Sequence, residues 1–337
     1  MTKISVILPT NKINTKEELD KFKKIQSITQ NNLVINKEFT TLCNNYLNSK
    51  DAPHILTPTL LSLVNQSFID FEVILCHKHP EDIRDDFEWI CNHLELNGRL
   101  IKEKSSIWHE LGDKYRTVNN IRNTGLIHAK GELILFLDDY TVFNKNLLQN
   151  AWDAYQDGYY ITARGMRRIR YDPKATPTEK FSRKSIVDKN IYSSYNFNNI
   201  KEGEIIPISA TWTYCCSVSL RDCLSVNGFD EIWDGNFGGT DQDFGRRLEK
   251  ITKYKRKLIG TIYEFSHKSP RMKVRNDEIF RAIIGQTIPK YIKANNWKPT
   301  KAEIDRYKRW HRKNVGKLDS YWDKFMNVPL YNIGDFR

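Results

Sequence analysis

The chain has 337 residues, with 53 Lys and Arg against 41 Asp and Glu, and a formal net charge of +12. Its hydrophobic fraction of 39% excludes disorder for most of the chain, and its length allows one large domain, or one domain with an appendage. No uncharged apolar run approaches the roughly 20 residues that a bilayer span needs. The N-terminus has no signal-peptide pattern, and the six cysteines contain no CxxC pair. We therefore expect reduced, buried thiols and a cytoplasmic protein.

The excess positive charge is concentrated in two blocks. Residues 160–184 hold eight Lys or Arg against two acids, a net charge of +6, and residues 273–337 hold fifteen against seven, a net charge of +8. The rest of the chain is nearly neutral. Such blocks favour anionic partners, although a Lys-rich composition can also reflect genome bias and leave lysines on solvated faces.

Apolar runs alternate with helical patterns in the first 140 residues. The predicted elements are a strand over 4–8, a helical insertion over 11–55, a helix from 57, a strand over 71–76, a helix over 115–130 and a strand over 133–137. Buried strands alternating with helices indicate a parallel sheet covered by helices.

Polar residues follow each predicted strand, as Pro9-Thr10, His77-Lys78 and Asp138-Asp139. Ligands of open α/β sheets bind beyond the carboxyl ends of the strands. Adjacent carboxylates repel each other unless a cation balances them, and hard oxygen ligands favour Mg²⁺ or Mn²⁺. The alternative is that the two aspartates only stabilise the turn.

The second half contains an apolar run over 214–220 and a glycine pair before a predicted helix that begins at Thr240. Asp241 at that helix start is either a general base or an acid that complements the helix dipole. His267 follows a short apolar segment and is either structural or a ligand. Beyond residue 275 the chain is predicted to be mostly helical, and it is basic and rich in Trp.

Five segments, in this order and spacing, resemble the family 2 glycosyltransferases over about residues 3–267. They are ISVILPT (4–10), TLLSLVNQ (59–66), RNTG with AKGE and FLDD (122–139), NGFDE (227–231) and GGTDQD (238–243). The resemblance implies a GT-A fold, which is a Rossmann-like mixed α/β sheet flanked by helices. The domain would span 1–270, with a basic helical C-terminal extension over 271–337.

The resemblance also implies roles for individual residues in a metal-dependent transfer with inversion. Asp241 would be the catalytic base, and Asp139 and His267 would bind Mn²⁺ or Mg²⁺. Pro9, Thr10, Arg122 and Asp138 would bind the nucleotide-sugar donor. The stretches that shape the acceptor site in this fold contain Trp212, Trp233, Gly239, Thr240 and Asp243, and for the two Trp residues core packing is the alternative.

Three positions depart from the family pattern. Tyr140 stands in place of the usual third acid of the metal motif, and Thr240 replaces the Glu that usually precedes the base. The segment 76–78 replaces the acidic turn that reads the nucleobase, although UDP remains the first expectation.

The acceptor is open between two classes. A saccharide or lipid-linked saccharide fits the family, with the basic C-terminal helices lying on an anionic membrane surface. A modified base in viral-type DNA fits the same charge distribution. A third alternative is a degenerate relative that binds a sugar nucleotide or glycan without transferring it.

Overall fold

The protein is described from a computed structural model, at residues 2–10, 57–106, 117–139, 141–163, 166–169, 201–211, 213–231, 234, 240–260 and 262–265. The predicted insertion over 11–55 and the predicted extension over 271–337 lie outside these residues, as does most of the basic block over 160–184. The domain boundaries therefore stay predictions.

An eight-stranded mixed sheet forms the centre of the described part. Its strands are β1 (Ile4–Pro9), β2 (Phe71–His77), β3 (Gly98–Lys102), β4 (Leu133–Leu137), β6 (Tyr159–Ala163), β8 (Ile205–Ile206), β9 (Cys215–Ser219) and β10 (Lys255–Ile259). Their order in the sheet is β3-β2-β1-β4-β9-β6-β10-β8. A second sheet has the order β5-β11-β7, formed by β5 (Thr141–Val142), β7 (Met166–Ile169) and β11 (Ile262–Phe265).

Helices lie between these strands along the chain. They are α1 (Thr57–Val64), α2 (Arg84–His93), α3 (Val118–His128), α4 (Leu147–Gln156), α5 (Leu220–Ser225) and α6 (Thr240–Glu249), with a 3₁₀ turn at Pro80–Asp82. The helix predicted to end at residue 130 ends at His128, because the backbone of Ala129 is already extended. None of the helices in the described ranges is long and apolar enough to cross a bilayer.

Strands β3, β2, β1 and β4 are parallel, as the apolar runs of β1, β2 and β4 predict. Strand β3, with the sequence GRLIK, was not predicted. β9 then runs antiparallel to β4, with Leu137 opposite Cys215 and Leu133 opposite Ser219. The start of β9 therefore lies beside the carboxyl end of β4. This reversal brings the residues just before β9 to the edge where the parallel strands end.

One hydrophobic core covers most of the sheet, and a separate small cluster of Ile206, Ala210 and Leu258 lies at β8 and β10. Most side chains of β1, β2, β4 and β9 are fully buried, and so are four of the five described cysteines, which are all free thiols. Helix α3 packs closely on β1 at Gly125, where a Cβ atom would lie 2.5 Å from Cγ2 of Ile7. This close approach fixes the distance between α3 and the sheet.

Candidate functional site

The carboxyl ends of β1 and β4 meet, and their polar residues are in contact. Thr10 follows β1 directly, and its hydroxyl donates to the carboxylate of Asp139 at 3.3 Å. Asp138 follows β4, where its backbone N–H donates to the carbonyl of Tyr214, just before β9. The hydroxyl of Thr141 donates to the Asp138 carbonyl at 2.7 Å and closes the turn. The predicted meeting of strand ends is therefore present for Thr10, Asp138 and Asp139.

Arg122 connects this turn to the predicted base. Its Nη2 lies 3.3 Å from Oδ1 of Asp138, and its Nη1 lies 3.5 Å from Oδ1 of Asp241. The Arg122 side chain is 6% exposed, whereas those of Asp138 and Asp241 are 38% and 25% exposed. A buried guanidinium thus lies between two carboxylates that remain open to solvent, and hence to a ligand.

Asp241 is held in place by hydroxyl groups. The Thr213 hydroxyl donates to its Oδ1 at 2.6 Å, and the neighbouring Thr240 hydroxyl donates to the same atom at 3.2 Å. The backbone N–H of Thr213 lies 3.5 Å from Oδ2. Since the hydroxyl donors converge on Oδ1, Oδ2 is the oxygen that can accept a proton from a bound hydroxyl group.

An aromatic cluster beneath these residues fixes their relative positions. The rings of Phe229 and Phe244 are stacked with centroids 4.1 Å apart, and Phe136 of β4 meets both edge-on. The guanidinium of Arg122 lies 5.3 Å from the Phe229 ring centroid. Because α6, which carries Asp241, contributes Phe244, packing of the cluster couples α6 to β4 and to Arg122.

Arg247 fixes the other side of α6. Its guanidinium donates to the carbonyls of Val226 and Gly228 at 2.6 and 2.7 Å, and lies 3.0 Å from Asp243. The predicted acceptor residue Asp243 thus pairs within its own helix, while Thr240 contacts the predicted base. Their role toward an acceptor stays a prediction.

The donor set at the turn suits a hard divalent cation. Asp138, Asp139 and Asp241 supply three carboxylates against the single guanidinium of Arg122, a formal charge of −2 for the four side chains. Mg²⁺ is typically held by one or two carboxylates together with substrate phosphates and water. Within the described ranges there is no cluster of three or more His, Cys, Asp or Glu that would hold a metal on its own. Metal binding at Asp139 stays a prediction.

Several predicted site residues lie outside the described part of the chain. These are Tyr140, Trp212, Trp233, Gly239 and His267. The strand that precedes His267, β11, pairs antiparallel with β5, which follows Asp138 and Asp139, with Glu264 opposite Thr141. Pro9, at the end of β1, is described and lies opposite Cys76.

Solved structures with the same fold are known. The chain is similar to residues 1–349 of TarS, a glycosyltransferase from S. aureus, in complex with UDP-GlcNAc, with a TM-score of 0.51, 15% identity, and 97% of this chain and 76% of that one covered. The chain has a glycosyltransferase fold. The same part of TarS in complex with UDP gives a TM-score of 0.50 at 15% identity and the same coverage. These similarities confirm the predicted fold class, the GT-A mixed sheet. No protein-family description and no curated protein sequence matches the chain.

Thr213 and Tyr214 belong to the site although the sequence did not indicate them. Thr213 donates to Asp241, and Tyr214 accepts from Asp138 through its carbonyl. Burial raises the pKa of the Tyr214 hydroxyl well above its usual range, and neighbouring carboxylates add to the effect. Tyr214 is therefore a neutral donor, to the Ala163 carbonyl at 3.2 Å. In the sequence, the only feature that could have pointed to Thr213 and Tyr214 is their position just before β9.

Proposed function

We propose that this chain is a metal-dependent inverting glycosyltransferase that moves a sugar from a nucleotide-sugar, UDP-sugar first, to an acceptor hydroxyl group. The observation that carries the proposal is the placement of Arg122 between Asp138 and Asp241 at the carboxyl edge of the sheet. The shared fold with TarS, whose structures contain UDP-GlcNAc and UDP, supports the donor class.

Arg122 and the end of β1 would form the donor side. A diphosphate is a multiply charged anion, and a buried guanidinium binds phosphate oxygens in a fixed geometry. Phe229 beneath Arg122 limits the movement of its guanidinium. On donor binding Arg122 exchanges part of its contact with Asp138 for the diphosphate, while Pro9 and Thr10 border the nucleoside.

Asp139 would bind the metal, together with the diphosphate, and Asp138 would hold the ribose. A bound Mn²⁺ or Mg²⁺ neutralises the charge that grows on the departing diphosphate. Without such a cation, the three carboxylates would repel an incoming diphosphate, since together they outweigh the charge of Arg122. His267 as a further ligand is part of the proposal.

Asp241 would remove the proton from the acceptor hydroxyl group. A single displacement requires the nucleophile to approach from the side opposite to the leaving group, and Asp241 lies across Arg122 from Asp138. The hydroxyl donors Thr213 and Thr240 hold the carboxylate so that Oδ2 faces the acceptor. Transfer in one such step inverts the sugar configuration.

For the acceptor, we propose a saccharide or lipid-linked saccharide. The basic blocks at 160–184 and 273–337 fit an anionic carrier or a membrane surface. The same charge fits DNA, so the two are separated by experiment. Retention on anionic vesicles with no affinity for duplex DNA supports the lipid-linked class. Duplex binding that weakens steeply with salt supports a DNA acceptor.

The proposal is tested by calorimetric binding of UDP and UDP-GlcNAc with and without Mn²⁺, followed by assays of UDP release. Binding that depends on Mn²⁺ is expected, and Asp139→Asn should weaken it by about tenfold or more, since it removes a metal ligand. The matched control is Asp70→Asn, which removes a half-exposed carboxylate (49% exposed, paired with Lys3) just before β2, at the opposite edge of the sheet. Full binding and turnover in EDTA would exclude the metal, and no binding of any nucleotide-sugar would exclude the function.

A further inference from the structure

Phe229, Glu231 and Asp234 form hydrogen bonds with the first turns of α3. The Asn123 side chain donates to the Phe229 carbonyl and accepts from the Phe229 N–H, both at 2.8 Å. It also donates to Glu231 at 2.7 Å, and Glu231 pairs with Lys104 at 2.7 Å. These bonds therefore connect α3 with residues more than 100 positions later in the chain.

Asp234 makes the contacts with the N-terminal end of α3. Its Oδ1 accepts from the Asn119 N–H at 2.7 Å and its Oδ2 from the Asn120 N–H at 2.9 Å. These are N–H groups of the first helical turn, which have no partner within the helix. A capping side chain usually comes from the residue before the helix, yet the Thr117 side chain makes no such bond. A carboxylate more than 110 positions away caps α3 instead.

This arrangement is unfavourable for Asp234 itself. The residue is 1% exposed, and burial raises the pKa of its carboxyl group well above the usual range. The nearby carboxylate of Glu231 raises it further, while the two backbone N–H donors oppose the shift. A local cap at Thr117 would satisfy one of these N–H groups with no buried carboxyl group. The distant cap satisfies both groups, and it also joins α3 to a residue that precedes α6 in the chain.

Arg122 and Asp241, the two proposed halves of the site, follow the two ends of this connection along the chain. Arg122 follows Asn119 by three residues, so it stands one helical turn beyond the capped N–H. Asp234 precedes α6, and Asp241 is the second residue of that helix. We propose that Asp234 is a positioning residue, which sets the first turn of α3, and with it Arg122, relative to Asp241 and the diphosphate. This inference rests on the proposed function.

The test is a double-mutant cycle between Asp234→Ala and Arg122→Ala, read as kcat/KM for transfer and as Kd for UDP with Mn²⁺. If Asp234 acts through Arg122, Asp234→Ala alone should lower kcat/KM by about tenfold to a hundredfold, the range expected when a contact group is misplaced. In the Arg122→Ala background the same change should cost less than about twofold, because the group it positions is gone. Asp234→Asn keeps one acceptor oxygen and should recover part of the loss.

The matched control is Ser219→Ala, which removes the cap of α5, a 3.1 Å bond to the Asp222 N–H, together with a 2.9 Å bond from the Tyr160 hydroxyl. Ser219 lies opposite Leu133, at the far edge of the sheet from the site. This variant should lose thermal stability without a change in kcat/KM or Kd beyond about twofold.

Equal losses from Asp234→Ala in both backgrounds, or a normal Kd and kcat/KM in Asp234→Asn and Asp234→Ala, would overturn the inference. If Asp234→Ala does not fold, Asp234→Asn completes the cycle in its place. If the wild-type chain binds UDP but transfers no sugar, the proposed function is wrong, and the double-mutant cycle in Kd for UDP still tests the role of Asp234. A wild-type chain that binds neither UDP nor a UDP-sugar would remove both.

Discussion

Replacement of Asp241 by Asn is the sharpest perturbation of the proposed chemistry. The substitution keeps the size of the side chain. It also keeps an oxygen that can accept from the Thr213 hydroxyl, which lies 2.6 Å from Oδ1 in the wild-type protein. It removes the capacity to take a proton and the charge that faces Arg122 at 3.5 Å. The site geometry should therefore persist while the base is lost.

The two consequences have different magnitudes. A positioned general base typically contributes about 10²–10⁴-fold, so sugar transfer should fall by that factor. Donor binding should stay constant or tighten. Two unit charges at about 4 Å interact by about 4 kcal/mol at an effective dielectric constant of 20, and the partial exposure of Asp241 reduces this further. Loss of one negative charge beside Arg122 favours an incoming diphosphate, so UDP affinity should rise by at most about tenfold.

The assay pairs UDP release during transfer with calorimetric binding of UDP in Mn²⁺. Asp70→Asn serves as the control for loss of one carboxylate, since it is exposed and lies at the opposite edge of the sheet. Unchanged turnover in Asp241→Asn would refute the reasoning, because then no proton passes through this side chain. Loss of UDP binding in parallel with turnover would also refute it, since Asp241 would then act on the donor.

Three further variants test other contacts. Thr213→Val removes the 2.6 Å donor to Asp241 and should lower kcat by about tenfold, as expected for a hydrogen bond to a charged group; an unchanged kcat would contradict the positioning of Asp241 by Thr213. Gly125→Ala places a Cβ atom 2.5 Å from Ile7 and should destabilise the fold by about 1–3 kcal/mol in denaturant titrations, with an unchanged midpoint contradicting the close packing. Burial acts to raise the pKa of Glu72, but hydrogen bonds from Ser5, the Lys130 N–H and Arg99 lower this pKa overall. The ionised Glu72 therefore stabilises the fold above its unfolded pKa near 4.5, and this contribution is lost as the pH falls through the folded pKa. Glu72→Gln should therefore flatten the fall of Tm with pH below 4.5, and an identical Tm profile would show that Glu72 does not contribute.

The strand ends were predictable because their signals are local. Continuous apolar runs followed by polar residues placed Thr10, Asp138 and Asp139 at one edge of a parallel sheet. The resemblance to a glycosyltransferase family assigned Arg122 and Asp241 to the same site, and the structure brings both within 3.5 Å of one another. The hydrophobic periodicity of the sequence alone would not have predicted a contact between Arg122 and Asp241, which are 119 positions apart.

The remaining contacts depend on strand direction and on distant caps. An apolar run such as that of β9 reads the same whether its strand is parallel or antiparallel, and only the antiparallel pairing brings Thr213 to the site. Asp234 has no local pattern either, because the N–H groups that it binds belong to a helix that starts at Val118. Helix-capping rules look to the adjacent residue, Thr117, which makes no capping bond.

The net charge of the chain and the charge of the site have opposite signs, which suggests that donor binding and acceptor binding depend on different charged groups. The chain carries +12, whereas Arg122 and the three aspartates around it carry a formal −2. A diphosphate would therefore meet a negatively charged site unless a cation balances the three carboxylates. We therefore expect its binding to depend on Arg122 and on a cation held by Asp139. We propose that the two basic blocks bind the acceptor, so changes to them should alter acceptor choice and leave donor affinity unchanged.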